Sequence, residues 1–113
     1  MIFVIDDDEI MAECVVRATG REAKIFTNAI EAMQALDEGI PKMIFLDILL
    51  DGPDGFTFLN EMSSYVDTAK IPVVIISSLD LNDKDLSSYG VVGVLDKAEM
   101  VPKDIRRYVE RYC

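Results

Sequence analysis

Histidine is absent from these 113 residues, cysteine occurs only twice, and basic side chains are scarce, 11 against 21 acidic ones. The resulting net charge of −10 disfavours broad contact with phosphate backbones or anionic membrane surfaces, so direct nucleic-acid or membrane binding is not expected. Cys14 and Cys113 lie far apart and form no metal-spaced pair; free thiols in a reducing compartment are the economical reading. No apolar stretch approaches the ~20 residues of a membrane span and no basic leader precedes Ile2, which points to a cytoplasmic protein. Linkers, low-complexity tracts and internal repeats are missing too. With half its residues hydrophobic and only 6 Gly and 4 Pro, the chain is expected to form one domain, 1–113, around one core.

What is present alternates between two periodicities. Ile2 to Ile5, Met43 to Leu46, Val73 to Ile76 and Val91 to Leu95 are short apolar runs of the kind buried on both faces of a parallel sheet, and Ala23 to Phe26 is a weaker strand. Between them the spacing of Met11, Cys14, Val15 and Ala18 predicts a helix that Gly20 stops. A second, capped by Asn28, carries Ala29, Met33 and Leu36. Leu59, Met62 and Val66 predict a third helical face after the Gly-Pro-Asp-Gly turn, Asp83 to Tyr89 a poor fourth, and Ile105, Tyr108, Val109 and Tyr112 a closing one.

Five strands interleaved with five helices on short connections imply an α/β three-layer sandwich, a parallel sheet with helices on both faces, because each crossover is right-handed. Ligands of such sheets bind beyond the carboxyl ends of the strands. There the runs end on Asp6, Asp7 and Asp8, on Asp47, on Ser77 and just before Lys97.

Carboxylates gathered at one edge repel one another and stay ionised most readily around a hard, oxygen-seeking cation, so Asp6, Asp7 and Asp47 imply Mg2+. With the pocket neutralised, one carboxylate can attack phosphorus, and Asp47 is the candidate nucleophile. A lysine ammonium at Lys97 would hold a phosphoryl oxygen as a point charge, with the Ser77 hydroxyl donating to another. Each residue also has a plainer reading. Asp8 stands directly before a helix and suits an N-cap, and Lys97 taken alone would be an ordinary solvated lysine.

Together these residues resemble the receiver domains of response regulators in two-component signalling, over the whole chain. Val4-Ile5-Asp6-Asp7-Asp8 is similar to the family's acidic pair, Phe45-Leu46-Asp47 to its phosphoacceptor strand, Asp54-Gly55 to its loop signature, Ile71 to Ser77 to its hydroxyl strand, and Leu95-Asp96-Lys97 to its lysine. The resemblance implies a flavodoxin-like (βα)5 fold with sheet order 2-1-3-4-5. It implies phosphorylation of Asp47 by the phosphohistidine of a histidine kinase or histidine phosphotransfer protein. It further implies Mg2+ held by Asp6, Asp7, Asp47 and the Leu49 main-chain carbonyl, with Ser77 and Lys97 on the phosphoryl group. Without histidine, the chain is the receiving half of such a relay.

Departures from the pattern set further expectations. Where the family has proline after its phosphoacceptor and after its lysine, this chain has Asp51 and Ala98; a cis peptide after Lys97 would cost ~2.5–4 kcal/mol, so the Lys97 loop is expected to be displaced or strained. The switch-aromatic position falls on Val94, which weakens or reroutes the usual coupling to Ser77. Output is expected from surfaces, whether the chain stands alone or belongs to a longer protein. Lys103, Arg106, Arg107 and Arg111 against Asp80, Asp83 and Asp85 suggest a homodimer through the last two helices, unless those charges are simply solvated. Two alternatives remain at this point: a haloacid dehalogenase-like phosphatase, whose Asp-x-Asp start Asp6-Asp7-Asp8 superficially fits, and a degenerate receiver acting as a scaffold.

By the same resemblance, Leu49 and Leu79 fall on the two variable positions that flank the entry to the phosphoryl group in this family, and neither apolar side chain can orient an attacking water. A long-lived acyl phosphate is expected, with Leu49→Asn and Leu79→Glu accelerating its loss in a decay assay. Fast decay of the natural chain that neither substitution accelerates would remove this reading.

Overall fold

The computed structural model describes residues 1–48, 55–78 and 89–113. Five parallel strands, β1 (Ile2–Ile5), β2 (Ala23–Phe26), β3 (Met43–Asp47), β4 (Val73–Ser77) and β5 (Val91–Asp96), form one sheet in the order β2-β1-β3-β4-β5. Five helices are described: α1 (Glu9–Thr19), α2 (Ala29–Leu36), α3 (Gly55–Ser63), the single turn α4 (Val66–Ala69) and α5 (Pro102–Tyr112). The expected sheet order and three-layer arrangement are both present. Leu49, Asp51, Asp54, Leu79, Asp80, Asp83 and Asp85 lie outside the described residues, as does nearly all of the helix expected from Asp83 to Tyr89.

Continuous apolar runs are needed because a strand points successive side chains to opposite faces, and both faces here are covered. Phe3, Ile5, Ile44, Leu46, Val73 and Ile75 pack with α2 and α3 on one side. Ile2, Val4, Met43, Phe45, Val74 and Ile76 pack with α1 and α5 on the other. The Phe3 and Phe26 rings meet edge-on at 4.8 Å, closing the first layer across the β1–β2 pair.

Helix boundaries follow their caps. Asp8 Oδ1 accepts from the Ile10 and Met11 amides at 3.1 and 3.2 Å, and Gly20 ends α1 with φ +64°. Asn28 Oδ1 accepts from Glu31 N at 2.9 Å and starts α2. Two helical faces differ from expectation. Cys14 is exposed while Ala12 is buried, because the stripe of α1 centres on Ala12, Val15 and Ala18. Val66 is exposed as well: α3 stops at Ser63, and Thr68 Oγ1 donates to Met62 O at 2.6 Å, so the chain turns into α4 instead of extending the α3 face.

The first residue of α3 is constrained by the end of β3. Gly55 N donates to Ile48 O at 2.9 Å, and a Cβ at Gly55 would stand 2.7 Å from Ile48 Cα and 2.8 Å from Asp47 O, closer than packed atoms tolerate. Both obstacles are backbone, so a larger residue must displace the strand end that carries Asp47. Gly55→Ala is expected to cost about 1–3 kcal/mol, read from chemical denaturation, as overpacking does elsewhere; a neutral substitution would show that α3 and β3 separate freely.

Candidate functional site

Alignment of the strand ends places the chemistry. Ile5 stands opposite Leu46 and Leu46 opposite Ile75, so Asp6 directly after β1 and Asp47 at the end of β3 are neighbours across the sheet edge. Ser77 ends β4 opposite Asp96 of β5, and Lys97 N donates to Ser77 O at 3.0 Å, which fixes where the lysine leaves the sheet.

From the edge strand, the Lys97 stem reaches back past β4. Its Nζ lies 3.0 Å from Asp47 Oδ2, to which it donates a hydrogen bond, and 3.5 Å from Asp6 Oδ2. Asp6 and Asp47 are each 3% exposed, whereas Asp7 is exposed at the mouth. One carboxylate oxygen from each of Asp6, Asp7 and Asp47 fits within 4.8 Å of the others. Three hard, anionic oxygen donors at that spacing, two of them buried, fit a small divalent cation such as Mg2+. Thiols and imidazoles, which would favour a softer metal, are not among these donors.

The acidic turn after β1 is organised internally. Asp6 N donates to Phe26 O at 2.9 Å, Asp6 Oδ1 accepts from Asp8 N at 2.9 Å, and the Asp8 carboxylate caps α1. Asp8 therefore faces the helix, and of the triplet only Asp6 and Asp7 address the pocket. This also separates the site from the phosphatase alternative, whose Asp-x-Asp pair would need Asp8 in the pocket beside Asp6.

Burial, the largest influence, pushes the Asp6 carboxyl up to about 6 from its ordinary 3.8; the Asp8 N–H bond opposes it, the Asp47 carboxylate reinforces it, and the Lys97 ammonium lowers it. Lys97 is affected in the reverse sense. Burial lowers its pKa, but the hydrogen bond to Asp47 and the two nearby carboxylates outweigh that and leave it raised. The ammonium thus stays charged at neutral pH and offsets the paired carboxylates.

The peptide after Lys97 fits the expectation drawn from Ala98: no cis peptide occurs among the described residues, no residue of the loop has positive φ, and Lys97 still reaches the pocket. The trans path is held by Asp96: Ala98 N donates to Asp96 Oδ1 at 2.8 Å and Met100 N to Asp96 O at 2.8 Å. An Asp two residues before a turn amide is a readable signal for such a side-chain-closed turn. Val94 carries no ring and is 42% exposed, at the position expected to lack the switch aromatic. Gly55 and Asp96 are the two supporting residues whose roles sequence reasoning did not foresee.

Known proteins share this fold. The chain matches the family described as response regulator receiver domain over residues 2–110. It is 32% identical over 88 residues to the response regulator PleD of Caulobacter vibrioides, covering 70% of this chain but 18% of that protein. The receiver domain of NtrX from Brucella abortus superposes with a TM-score of 0.85 at 26% identity, over 99% of this chain and 97% of that one. The receiver domain of the sensor histidine kinase PA1611 from Pseudomonas aeruginosa, which has a magnesium ion coordinated in its active-site cleft, shares the fold with a TM-score of 0.82 at 17% identity, over 98% and 94% of the two chains. The chain belongs to the response regulator receiver domain family: it is a signalling domain of a two-component system.

The raised Asp6 pKa has a measurable consequence. The folded state holds the Asp6 proton more tightly than the unfolded one, so stability falls as pH rises from about 4 to 6. A cation that needs the ionised carboxylate competes with that proton, and its apparent affinity drops as pH falls below 6. Millimolar Mg2+ should therefore raise Tm clearly at pH 8 and barely at pH 5. Equal rises at both pH values would mean that Asp6 is not part of the cation site.

Proposed function

We propose that Asp47 accepts a phosphoryl group from a phosphohistidine on a partner kinase or phosphotransfer protein, and that the phosphorylated domain acts by changing which protein surfaces it engages. The observation that carries this reading is the Lys97 ammonium 3.0 Å from Asp47 Oδ2 within the buried Asp6–Asp47 pair. An ammonium in that place is within reach of an oxygen of any anionic group attached to Asp47.

In the reaction a carboxylate oxygen of Asp47 attacks phosphorus, the phosphorus–nitrogen bond to the donor imidazole breaks, and the imidazole leaves with its electron pair and takes up a proton. The product is an acyl phosphate on Asp47. Lys97 Nζ, on its four-carbon stem, follows the negative charge outward from the carboxylate to a phosphoryl oxygen. Ser77, held at the end of β4 by the Lys97 N–Ser77 O bond, offers its hydroxyl to another oxygen. A divalent cation, when bound by Asp6, Asp7 and Asp47 with the Leu49 carbonyl, supplies the positive charge that lets an anionic donor approach the acidic pocket. Support for magnesium is the oxygen-only donor set here and the magnesium in the PA1611 receiver domain.

The domain so described promotes its own phosphorylation and slow dephosphorylation without turning over an external small substrate. A cytoplasmic setting fits a partner kinase and two free thiols. The scaffold alternative is disfavoured by the pocket itself: a domain with no phosphoryl chemistry gains nothing from two buried carboxylates whose desolvation opposes folding.

Incubation with Mg2+ and a small phosphodonor, followed by mass mapping after hydride trapping, should place the phosphoryl group on Asp47. Asp47→Asn should abolish it, and Lys97→Ala should slow it by about tenfold or more, the scale of losing one charged contact to the transferring group. Modification at Asp6, or persistence in Asp47→Asn, would point away from this function.

A further inference from the structure

Two surfaces outside the pocket carry unspent charge of opposite sign. Between α2 and α3 runs a hollow of about 400 Å³ whose wall includes Met33, Ile40 and Tyr65 and whose rim carries Asp37, Glu61 and Asp67. It continues into a second of about 260 Å³ that shares Met33 and Glu61 and adds Ile30. Ile30, Ile40 and Tyr65 are each more than half exposed, which is unusual for side chains of their size lying together. Among the described residues no lysine or arginine lines either hollow, and none of the three rim carboxylates has an ion-pair partner.

The complementary surface is α5. Lys103, Arg106 and Arg107 line a shallow hollow of about 320 Å³ with Glu110, and Arg111 extends the stripe one turn further. Four of the chain's 11 basic residues lie on this helix, in a molecule of net charge −10. None of the four is ion-paired among the described residues.

We propose that the α2–α3 groove is the docking site for α5 of a second copy of this chain. Arginine is the side chain this groove suits: its stem covers aliphatic surface, its guanidinium stacks on a ring such as Tyr65, and its fork takes a carboxylate bidentately. The two surfaces cannot meet within one molecule, since α2 and α3 cover one face of the sheet and α5 the other. The contact is therefore heterologous, each copy offering its groove to one neighbour and α5 to another. Such a contact builds an open head-to-tail chain unless its rotation closes a ring. The overall negative charge opposes association and keeps the contact weak.

Sedimentation velocity and equilibrium on the natural chain at about 50 mM salt should show an average mass that keeps rising with concentration past the dimer, and about 0.5 M salt should reverse it. Arg106→Glu/Arg107→Glu and Glu61→Lys/Asp67→Lys should each weaken association about tenfold or more, since like charges then meet. All four positions are exposed, and thermal unfolding checks that the variants fold; Lys103→Glu/Arg107→Glu and Asp37→Lys/Asp67→Lys serve if either pair does not. An equimolar mixture of the two charge-reversed proteins should regain association, because each acidic helix then finds a basic groove. A chain that stays monomeric to millimolar concentration, a closed dimer indifferent to the groove substitutions, or a mixture that fails to associate would each overturn the proposal.

Discussion

The ion pair between Lys97 and the Asp6–Asp47 couple is the constraint around which the rest is arranged. Two carboxylates buried side by side repel each other and lose their hydration, and the fold must bring a cation to them without exposing the sheet edge. Strands are ~4.8 Å apart, so a cation from the edge strand must cross the end of β4 to reach β3 and β1. Lysine has the unbranched length for that crossing. Its starting point is fixed by the Lys97 N–Ser77 O bond and by the turn that Asp96 closes, so the reach is set by backbone contacts on both sides of the residue.

The same economy of backbone contacts appears at the other carboxylates. Asp6 is tied by its amide to β2 and by its side chain to the Asp8 amide, while Asp8 is committed to α1. Adjacent aspartates thereby take three different environments, one buried, one open to solvent and one capping a helix. Gly55 performs the corresponding service for Asp47, letting α3 begin against its carbonyl. Pocket and fold are thus inseparable at the strand ends: the residues that terminate the strands are those that hold the charge.

Most of this is legible in the sequence for a physical reason. A two-sided parallel sheet demands uninterrupted apolar strands, and such runs are conspicuous when each stops abruptly on a polar residue, as Leu46 does before Asp47 and Ile76 before Ser77. Helix faces are less legible where small residues compete with larger ones. Ala12 takes the core position of α1 that spacing alone also allows Cys14, and Thr68 bends the chain away from Val66 through a bond to Met62 that no periodicity encodes. The Lys97 loop shows that proline is not the only means of shaping such a turn. Asp96 achieves the turn with a side-chain oxygen and an ordinary trans peptide.

Val94 bears on how the pocket and the α5 surface are connected. Val94 has no ring to swing, and being branched at Cβ it is confined to few rotamers. Among the described contacts, main chain and one packed ring lie between Ser77 and α5. Ser77 O accepts from Lys97 N, β5 runs beside β4 up to Asp96, and the Tyr108 ring of α5 occupies the space a Cβ at Gly93 would need. With valine at position 94, the described contacts from this strand end toward α5 run through the β4–β5 pairing and the Tyr108 ring, on the helix that bears the exposed basic stripe.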